Sequence, residues 1–155
     1  VRDLSWLGPN SVDLICCAPP FLEQLDYLSD HWLAYWFAGI SPRSFASANQ
    51  RFKGMEDWCA FIEDSLLEML RVAKPRGYVV LEAAEVEHKG HQIFLDKQIA
   101  EIASHISQNG KRFAIEEILI NKEKFGELPG GISDGKPKSK QKNNRLVVLK
   151  CVAKR

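Results

Sequence analysis

The residues whose types and spacing best suit chemistry are Cys17-Ala18-Pro19-Pro20-Phe21. They follow a short, almost continuous apolar run, Val12–Cys17, which is typical of a strand buried on both faces of a parallel sheet. Proline fixes φ and has no N–H, so we expect the Pro19 and Pro20 carbonyls to face a ligand rather than a neighbouring strand. Together with the flat apolar face of Phe21, these acceptors suit the exocyclic amino group of a flipped, stacked base.

The same segment also fits an ordinary turn at the end of a strand, with Phe21 buried in the core. Proline-rich turns are common, so this structural interpretation stays open on local chemistry alone. The position of the segment favours a binding role, because ligands of open α/β sheets bind beyond the carboxyl ends of the strands.

The periodicity of apolar residues predicts the elements that must position this segment. After the first strand we expect helices at 26–37, 56–73 and 94–107, and strands at 78–81, 113–120 and 146–152. Between them we expect a loop at 40–54, a break at 74–77, a polar connection at 82–90, a helix stop at Asn109-Gly110 and a long loop at 122–144. The alternation predicts one α/β domain over 1–155, a doubly wound, mostly parallel sheet whose last strand is antiparallel.

Composition narrows the class of protein. The chain has 155 residues, 45% of them hydrophobic, which is enough for one domain with a real core. The formal net charge of +1 excludes a polycation, so any nucleic-acid footprint must be local. No apolar stretch approaches the roughly 18 residues of a membrane span, and the first residues do not form a signal peptide, so we expect a cytoplasmic protein without membrane contact. The cysteines and histidines lack zinc spacing, so no metal is expected.

Several charged residues outside the proline segment are candidates for substrate binding. Lys136, Lys138, Lys140, Lys142 and Arg145 alternate along the end of the long loop and the start of the last strand, where they would contact phosphate or simply be solvated. Glu85 follows the second strand, either near a ligand or as a solvated charge. Asp26 and Tyr27 would line the pocket, although Asp26 is equally suited to capping a helix.

Four segments, in order, resemble the DNA methyltransferases that modify amino groups of cytosine or adenine. Residues 11–21 (SVDLICCAPPF) are similar to that family's catalytic motif: an apolar strand, then Ser, Asp or Asn, then Pro-Pro and an aromatic residue. Residues 25–27 and 32–39 continue the similarity, and 70–81 (LRVAKPRGYVVL) and 143–149 (NNRLVVL) complete it.

The resemblance implies a fold of the S-adenosylmethionine-dependent methyltransferase type and transfer of a methyl group from S-adenosylmethionine to a base amino group in DNA, as in restriction-modification. It further implies that Pro19 and Pro20 receive the amino group, and that Phe21 stacks on the base. DNA is then the partner, and Ala18 belongs to the catalytic segment.

The sequence departs from the family pattern at two points. Ala18 stands where the family has Ser, Asp or Asn, so one polarising acceptor is missing, and a lost catalytic hydrogen bond of this kind costs about 2–4 kcal/mol. No glycine lies in a strand–Gly-rich loop–helix context, so no residue is assigned to the cofactor. We therefore expect an incomplete sheet with one unpaired edge, and a homodimer, a second chain or a missing segment that supplies the cofactor site.

Two alternatives remain. Ala18 and the missing glycine-rich loop favour a non-catalytic DNA-binding or partner subunit with a methyltransferase-like fold. A methyltransferase that acts on RNA or on a protein side-chain amide is the other alternative.

Overall fold

A computed structural model of the chain describes residues 2–20, 22, 32–41, 52, 54–88, 90–120 and 144–154. The elements within these residues are β1 (Val12–Cys17), α1 (Trp32–Phe37), α2 (Met55–Val72), β2 (Ala73–Ala83), β3 (Glu85–His88), β4 (His91–Phe94), α3 (Leu95–His105), β5 (Ser107–Gln108), β6 (Lys111–Ile120) and β7 (Arg145–Ala153).

The main sheet is mixed, with the strand order β1-β2-β7-β6-β5. Only β1 and β2 pair in parallel, while β7 is antiparallel to both β2 and β6. The antiparallel last strand is therefore confirmed, but the expectation of mostly parallel pairing is wrong for the described strands. The reason is that Arg145 re-enters the sheet beside Ile120, where β6 ends, so β7 must run back between β6 and β2. Consequently β2 and β6 still point in the same direction.

One hydrophobic core lies between one face of this sheet and the two long helices. The predicted helix at 56–73 is confirmed as α2, which has acidic residues in its first turn and Arg71 in its last, as the helix dipole favours. Its buried stripe includes Ile62, Leu66 and Met69, at the spacing of one helix face. Because α2 and α3 share this core, the described residues place helices against one face of the sheet, and the doubly wound arrangement remains a prediction.

The carboxyl end of α2 is closed by a buried lysine from β6. The Lys111 ammonium donates to the carbonyl oxygens of Leu70 and Ala73, the latter at 2.7 Å, and to Asn10 Oδ1 at 2.7 Å. Burial lowers the pKa of Lys111, but these oxygens compensate for the lost water, and a cation is favoured at this end of a helix dipole. One side chain thus joins α2, β6 and the segment that leads into β1.

The parallel pair β1–β2 contains an irregularity at the predicted break at 74–77. Val12 pairs with Ala73, but Leu14 pairs with Tyr78, so β2 holds extra residues opposite β1. A Cβ on Gly77 would lie 3.0 Å from the Asp13 carbonyl oxygen, so a larger residue cannot fit there without a backbone shift. The break is therefore part of β2, and it brings the two strands together closely.

Two other connecting segments differ from their prediction. The polar connection at 82–90 includes the end of β2 and the strand β3, which pairs with β4 in a hairpin that turns at Gly90. Asn109 and Gly110 do not end a helix directly, because both have positive φ and join β5 to β6 as a two-residue hairpin turn. Both pairings bring together neighbouring segments that show little apolar alternation.

Among the described strands, β1 lies at one edge of the main sheet and pairs only with β2, as expected. Its predicted burial on both faces is wrong for the described part of the chain: Leu14 is 56% exposed and Cys16 is also exposed. These alternate residues lie on the sheet face opposite the core, where Tyr78 and Val80 are their partners in β2.

The described part of the early helix, α1, is exposed as well. The helical spacing of Trp32, Trp36 and Trp58 predicts that all three lie in the core. Trp58 of α2 is buried, but Trp32 and Trp36 are 60% and 72% exposed, so the prediction is wrong for these two. Residues 26–31 of the predicted helix lie outside the described residues. Among the described helices, none has the length and apolar character needed to cross a lipid bilayer.

We predict that Cys16 is the fastest-reacting thiol of the native chain. Burial raises the pKa values of Cys17, Cys59 and Cys151, which lowers their thiolate fractions, whereas Cys16 is exposed on the edge strand. Labelling with a maleimide near neutral pH, followed by mass spectrometry, should place the first label on Cys16. The Cys16→Ser variant should lose the fast phase, and Cys151→Ser should retain it.

A protected Cys16 in the native chain, with full labelling after unfolding, would contradict this prediction. It would show that another polypeptide covers this face of β1, and sedimentation would then identify a second copy of the chain.

Candidate active site

The predicted catalytic segment follows the carboxyl end of β1. It lies where the parallel strands β1 and β2 both end, and we call this end of the sheet the carboxyl edge. Ala18 is exposed, Pro19 is buried and Pro20 is half-buried. Phe21, Asp26 and Tyr27, which we expected to complete the pocket, lie outside the described residues. The location agrees with the rule that ligands of open α/β sheets bind at this edge.

One of the two proline carbonyls is already engaged by the protein. The indole Nε1–H of Trp58 donates to the Pro20 carbonyl oxygen at 2.9 Å, and Trp58 itself is 1% exposed. One lone pair of the Pro20 carbonyl oxygen is thus used inside the protein, and the expectation that both proline carbonyls face a ligand stays a prediction. Among the described residues, no donor to the Pro19 carbonyl oxygen is seen.

A small apolar cavity lies between the proline segment and the helix α2. Its volume is about 60 Å³, and its walls come from the end of β1, the prolines, Leu81 of β2 and the side chains of α2 that include Phe61 and Leu66. Ser65 contributes the hydroxyl of this lining, and that hydroxyl donates to the Phe61 carbonyl oxygen at 2.7 Å. The cavity is large enough for one or two small groups and too small for a nucleobase, so a base would lie on the outer side of the segment.

The predicted substrate-binding residues Glu85 and Arg145 contact each other. The Arg145 guanidinium makes a short ion pair with Glu85 and a second one with Asp96 Oδ2 at 3.1 Å. It also lies over the ring of Phe94, 5.1 Å from the centroid. Both side chains of the Glu85–Arg145 pair are largely buried, at 14% and 13% exposure, so neither is a solvated loop charge.

This cluster has two carboxylates and one guanidinium in a nearly dry environment. Asp96 Oδ1 and Arg145 Nε have no hydrogen-bond partner among the described residues. Because Arg145 begins β7, Glu85 begins β3 and Asp96 lies in the first turn of α3, the cluster ties three elements together at the carboxyl edge. These contacts hold the three elements together, and the direct role of Glu85 and Arg145 in substrate binding stays a prediction.

The lysine-rich segment itself, with Lys136, Lys138 and Lys140, lies outside the described residues. The described residues on both sides of it are nevertheless informative. Ile120, at the end of β6, pairs with Arg145, and Asn144 donates to Glu82 Oε1 at 2.9 Å. The described residues Ile120 and Asn144 thus both lie at the carboxyl edge of β2, the edge that carries the proline segment.

Two residues important for the geometry were missed or placed differently by the sequence reasoning. Asp96 was not selected, although an acidic residue in the first turn of an amphipathic helix is a recognisable signal. The periodicity of α2 predicts that Trp58 is buried, but it does not predict which group its indole N–H contacts. The contact of its N–H with Pro20 joins residues 38 apart in sequence, so no local pattern could indicate it.

The described residues provide no group of three His, Cys, Asp or Glu side chains suited to a metal ion. They also do not fit S-adenosylmethionine. Gly77 packs against backbone inside β2, and no described glycine lies in a short turn that links the end of a parallel strand directly to a helix. The cradle expected for that cofactor is therefore not formed by the described residues.

Comparison with known proteins shows a likeness in fold. No family model matches the chain, and no curated protein matches it in sequence. A structure of TTHA0409 from Thermus thermophilus, provisionally described as a DNA modification methylase and complexed with S-adenosyl-L-methionine, superposes with a TM-score of 0.52 at 14% identity. The match covers 97% of this chain and 50% of that one. A selenomethionine structure of the same protein gives 0.49 at 16% identity, covering 97% of this chain and 49% of its own.

The structure with a TM-score of 0.52 indicates the class of fold. The chain shares the fold of part of a DNA modification methylase structure, and it spans about half the length of that structure. The expected methyltransferase-like fold is supported at this level, whereas the motif, the subfamily and the substrate are not addressed by a likeness of 14% identity.

We predict that Arg145→Met lowers the free energy of unfolding by about 3–5 kcal/mol, because it leaves two buried carboxylates without their cation. The matched control is Arg2→Met, which removes an exposed pairing with Asp64 at 3.9 Å and should cost less than about 1 kcal/mol. Urea denaturation followed by circular dichroism measures both. If Arg145→Met proves as stable as the control but binds DNA more weakly, Arg145 is a substrate contact, as first expected.

Proposed function

We propose that this chain forms the base-binding part of an S-adenosylmethionine-dependent DNA methyltransferase that modifies the exocyclic amino group of cytosine or adenine. The observation that carries the proposal is the proline segment at the carboxyl end of a parallel edge strand, in a sheet that shares the fold of a methylase structure. That structure is complexed with S-adenosyl-L-methionine, which makes this cofactor the natural methyl donor to propose.

In this proposal the chain binds and orients the acceptor base. The Pro19 carbonyl oxygen accepts a hydrogen bond from the target amino group, which raises the electron density on its nitrogen. Phe21 stacks on the extruded base, with Asp26 and Tyr27 nearby. Ala18 offers no side-chain acceptor, so the amino group is polarised by fewer hydrogen bonds than a Ser, Asp or Asn would permit.

The described glycines do not form a cofactor site, so in this proposal the site lies outside the described residues. We propose that a further segment or a second chain contributes it. The unpaired edge and the exposed Leu14 of β1 provide a place where an additional strand would bury apolar surface. The share of the methylase structure that this chain spans, about half, agrees with that division.

The lysine-rich segment is proposed to contact DNA phosphates. Ile120 and Asn144, the described residues on either side of it, lie at the carboxyl edge of β2, and for this reason we propose that Lys136, Lys138, Lys140 and Lys142 act near the proline segment. Phosphate contacts position a duplex without reading its sequence. They would hold the duplex while the target base enters the site.

A non-catalytic DNA-binding subunit is the second candidate, since it needs neither a side-chain acceptor at Ala18 nor a cofactor cradle. Transfer of tritiated methyl groups to DNA, RNA or protein by the native chain, supplied with its cofactor-binding partner segment, separates these classes of substrate.

We predict that the chain binds a duplex with one extrahelical adenine or cytosine more tightly than the fully paired duplex, and that Phe21→Ala removes this preference. Stacking on an aromatic side chain contributes about 1–3 kcal/mol per base. The control is Trp6→Ala, which removes a 75% exposed aromatic ring outside the proline segment. Ala18→Asp, which adds the missing acceptor, should strengthen binding of the extrahelical base. Fluorescence anisotropy measures all four proteins.

If the unchanged chain shows no preference for the extrahelical base, the proposed base site is wrong. If the preference exists but survives Phe21→Ala, the base is bound without that ring and the assignment of Phe21 fails.

A separate prediction concerns salt. Replacing Lys136 and Lys138 with Ala should weaken binding to all duplexes alike and reduce the slope of log K against log salt by about 0.9 for each lost phosphate contact. The matched control replaces Lys74 and Lys154, which lie at the opposite edge of the sheet, near the start of β2 and the end of β7. An unchanged slope in the first variant, or equal changes in both variants, would contradict a specific role of the segment.

A further inference from the structure

We propose that Trp58 is the positioning residue of the base site, because its indole N–H fixes the proline segment in the orientation that presents the remaining carbonyls to a ligand. This inference rests on the proposed function for the identity of the ligand. The geometry that carries it is the 2.9 Å hydrogen bond from Trp58 Nε1 to the Pro20 carbonyl oxygen.

The two prolines of the segment have no backbone N–H donors of their own. Neither Pro19 nor Pro20 has an N–H, so the usual backbone hydrogen bonds that tie a turn to its neighbours are absent at two consecutive residues. The prolines can still accept hydrogen bonds through their carbonyl oxygens. Within the described residues, the bond from Trp58 to Pro20 is such a contact.

Packing against α2 fixes the proline segment only in part, because a cavity lies between them. Ala18, Pro19 and Pro20 line the cavity of about 60 Å³ that separates them from Phe61, Ile62 and other side chains of α2. Atoms that face a void lose their dispersion contacts on that side. The directional hydrogen bond therefore contributes more to the position of these prolines than it would over a fully packed core.

Trp58 is well suited to serve as an anchor. It lies in the first turn of α2, where its backbone N–H donates to the Gly54 carbonyl oxygen, and its side chain is 1% exposed. The other end of α2 is fixed by the buried ammonium of Lys111. The indole N–H is thus carried by a helix whose position along its axis is determined at the far end.

The expected consequence is selective. Losing the anchor should not unfold the domain, but it should let the segment sample several positions, which weakens binding of an extruded base and leaves phosphate contacts intact. A purely structural tryptophan would weaken both kinds of binding together, through the fraction of folded protein.

The test compares Trp58→Phe with the matched control Trp6→Phe, a change at a tryptophan that is 75% exposed. Trp6 lies far from the proline segment, because Arg71, at the other end of α2, donates to the carbonyl oxygens of Leu4 and Leu7. We expect Trp58→Phe to reduce the ratio of affinities for the extrahelical and the paired duplex about three- to tenfold, the range of one hydrogen bond. The affinity for the paired duplex should stay unchanged. In ¹H–¹⁵N spectra the Ala18 amide should broaden through exchange on the microsecond to millisecond timescale in Trp58→Phe alone.

Because Phe fills less space than Trp, a second variant carries 3-benzothienylalanine at position 58, which keeps the bicyclic ring and lacks the N–H donor. It should reproduce the loss of preference. An unchanged ratio of affinities in this variant, with a sharp Ala18 amide, would overturn the inference. If instead the unchanged chain has no preference for the extrahelical base, the proposed function fails and the base-positioning role falls with it, while the Ala18 amide still reports whether Trp58 holds the segment.

Discussion

The buried ammonium of Lys111 is the contact on which the arrangement of the other elements depends. It donates to carbonyl oxygens at the end of α2 and to the Asn10 side chain, so the helix, the strand β6 and the entry to β1 meet at one point. Without this cation, the helix would end in buried carbonyl groups that lack donors, which costs free energy. Because α2 is rigid over its 18 residues, fixing its end also fixes where Trp58 lies at its beginning.

The carboxyl edge of the sheet, which lies at the other end from Lys111, is held together by a second charged group. Arg145 joins Glu85 and Asp96, and it does so where β7 re-enters the sheet beside the ends of β6 and β2. The two charged groups fix different parts of the fold. Lys111 fixes the end of α2 against the sheet, and Arg145 fixes the carboxyl edge, where β2 ends and β7 begins. The proline segment lies at this carboxyl edge, which explains how a short piece of chain with few hydrogen bonds of its own can hold a defined position.

The sequence predicted the elements that a periodic pattern can encode. The stripe of α2 and the apolar runs of β1 and β7 appear in the structure close to their expected bounds, whereas β2 begins at Ala73, well before the predicted strand at 78–81. The pairing of strands was harder to predict from the sequence, because β3 and β4 form a hairpin with little apolar alternation. The exposure of Leu14 was also missed, because it depends on what packs against β1 and not on local sequence. For the site, the location of Pro19 and Pro20 followed from the resemblance, but the Glu85–Arg145 pair joins residues 60 apart, and no spacing rule relates them.

The position of Ala18 gains a physical meaning from these anchors. A side-chain acceptor at this place would polarise an amino group only if its backbone were held still, and the bond from Trp58 to Pro20 provides that stiffness two residues away. This hydrogen bond restrains the backbone close to Ala18, whose methyl group cannot accept a hydrogen bond. The cavity of about 60 Å³ beneath the segment gives these residues little packing support, so their position depends more strongly on that directional hydrogen bond. Under the proposed function, this restraint is what would let the Pro19 carbonyl oxygen meet an amino group in a defined direction.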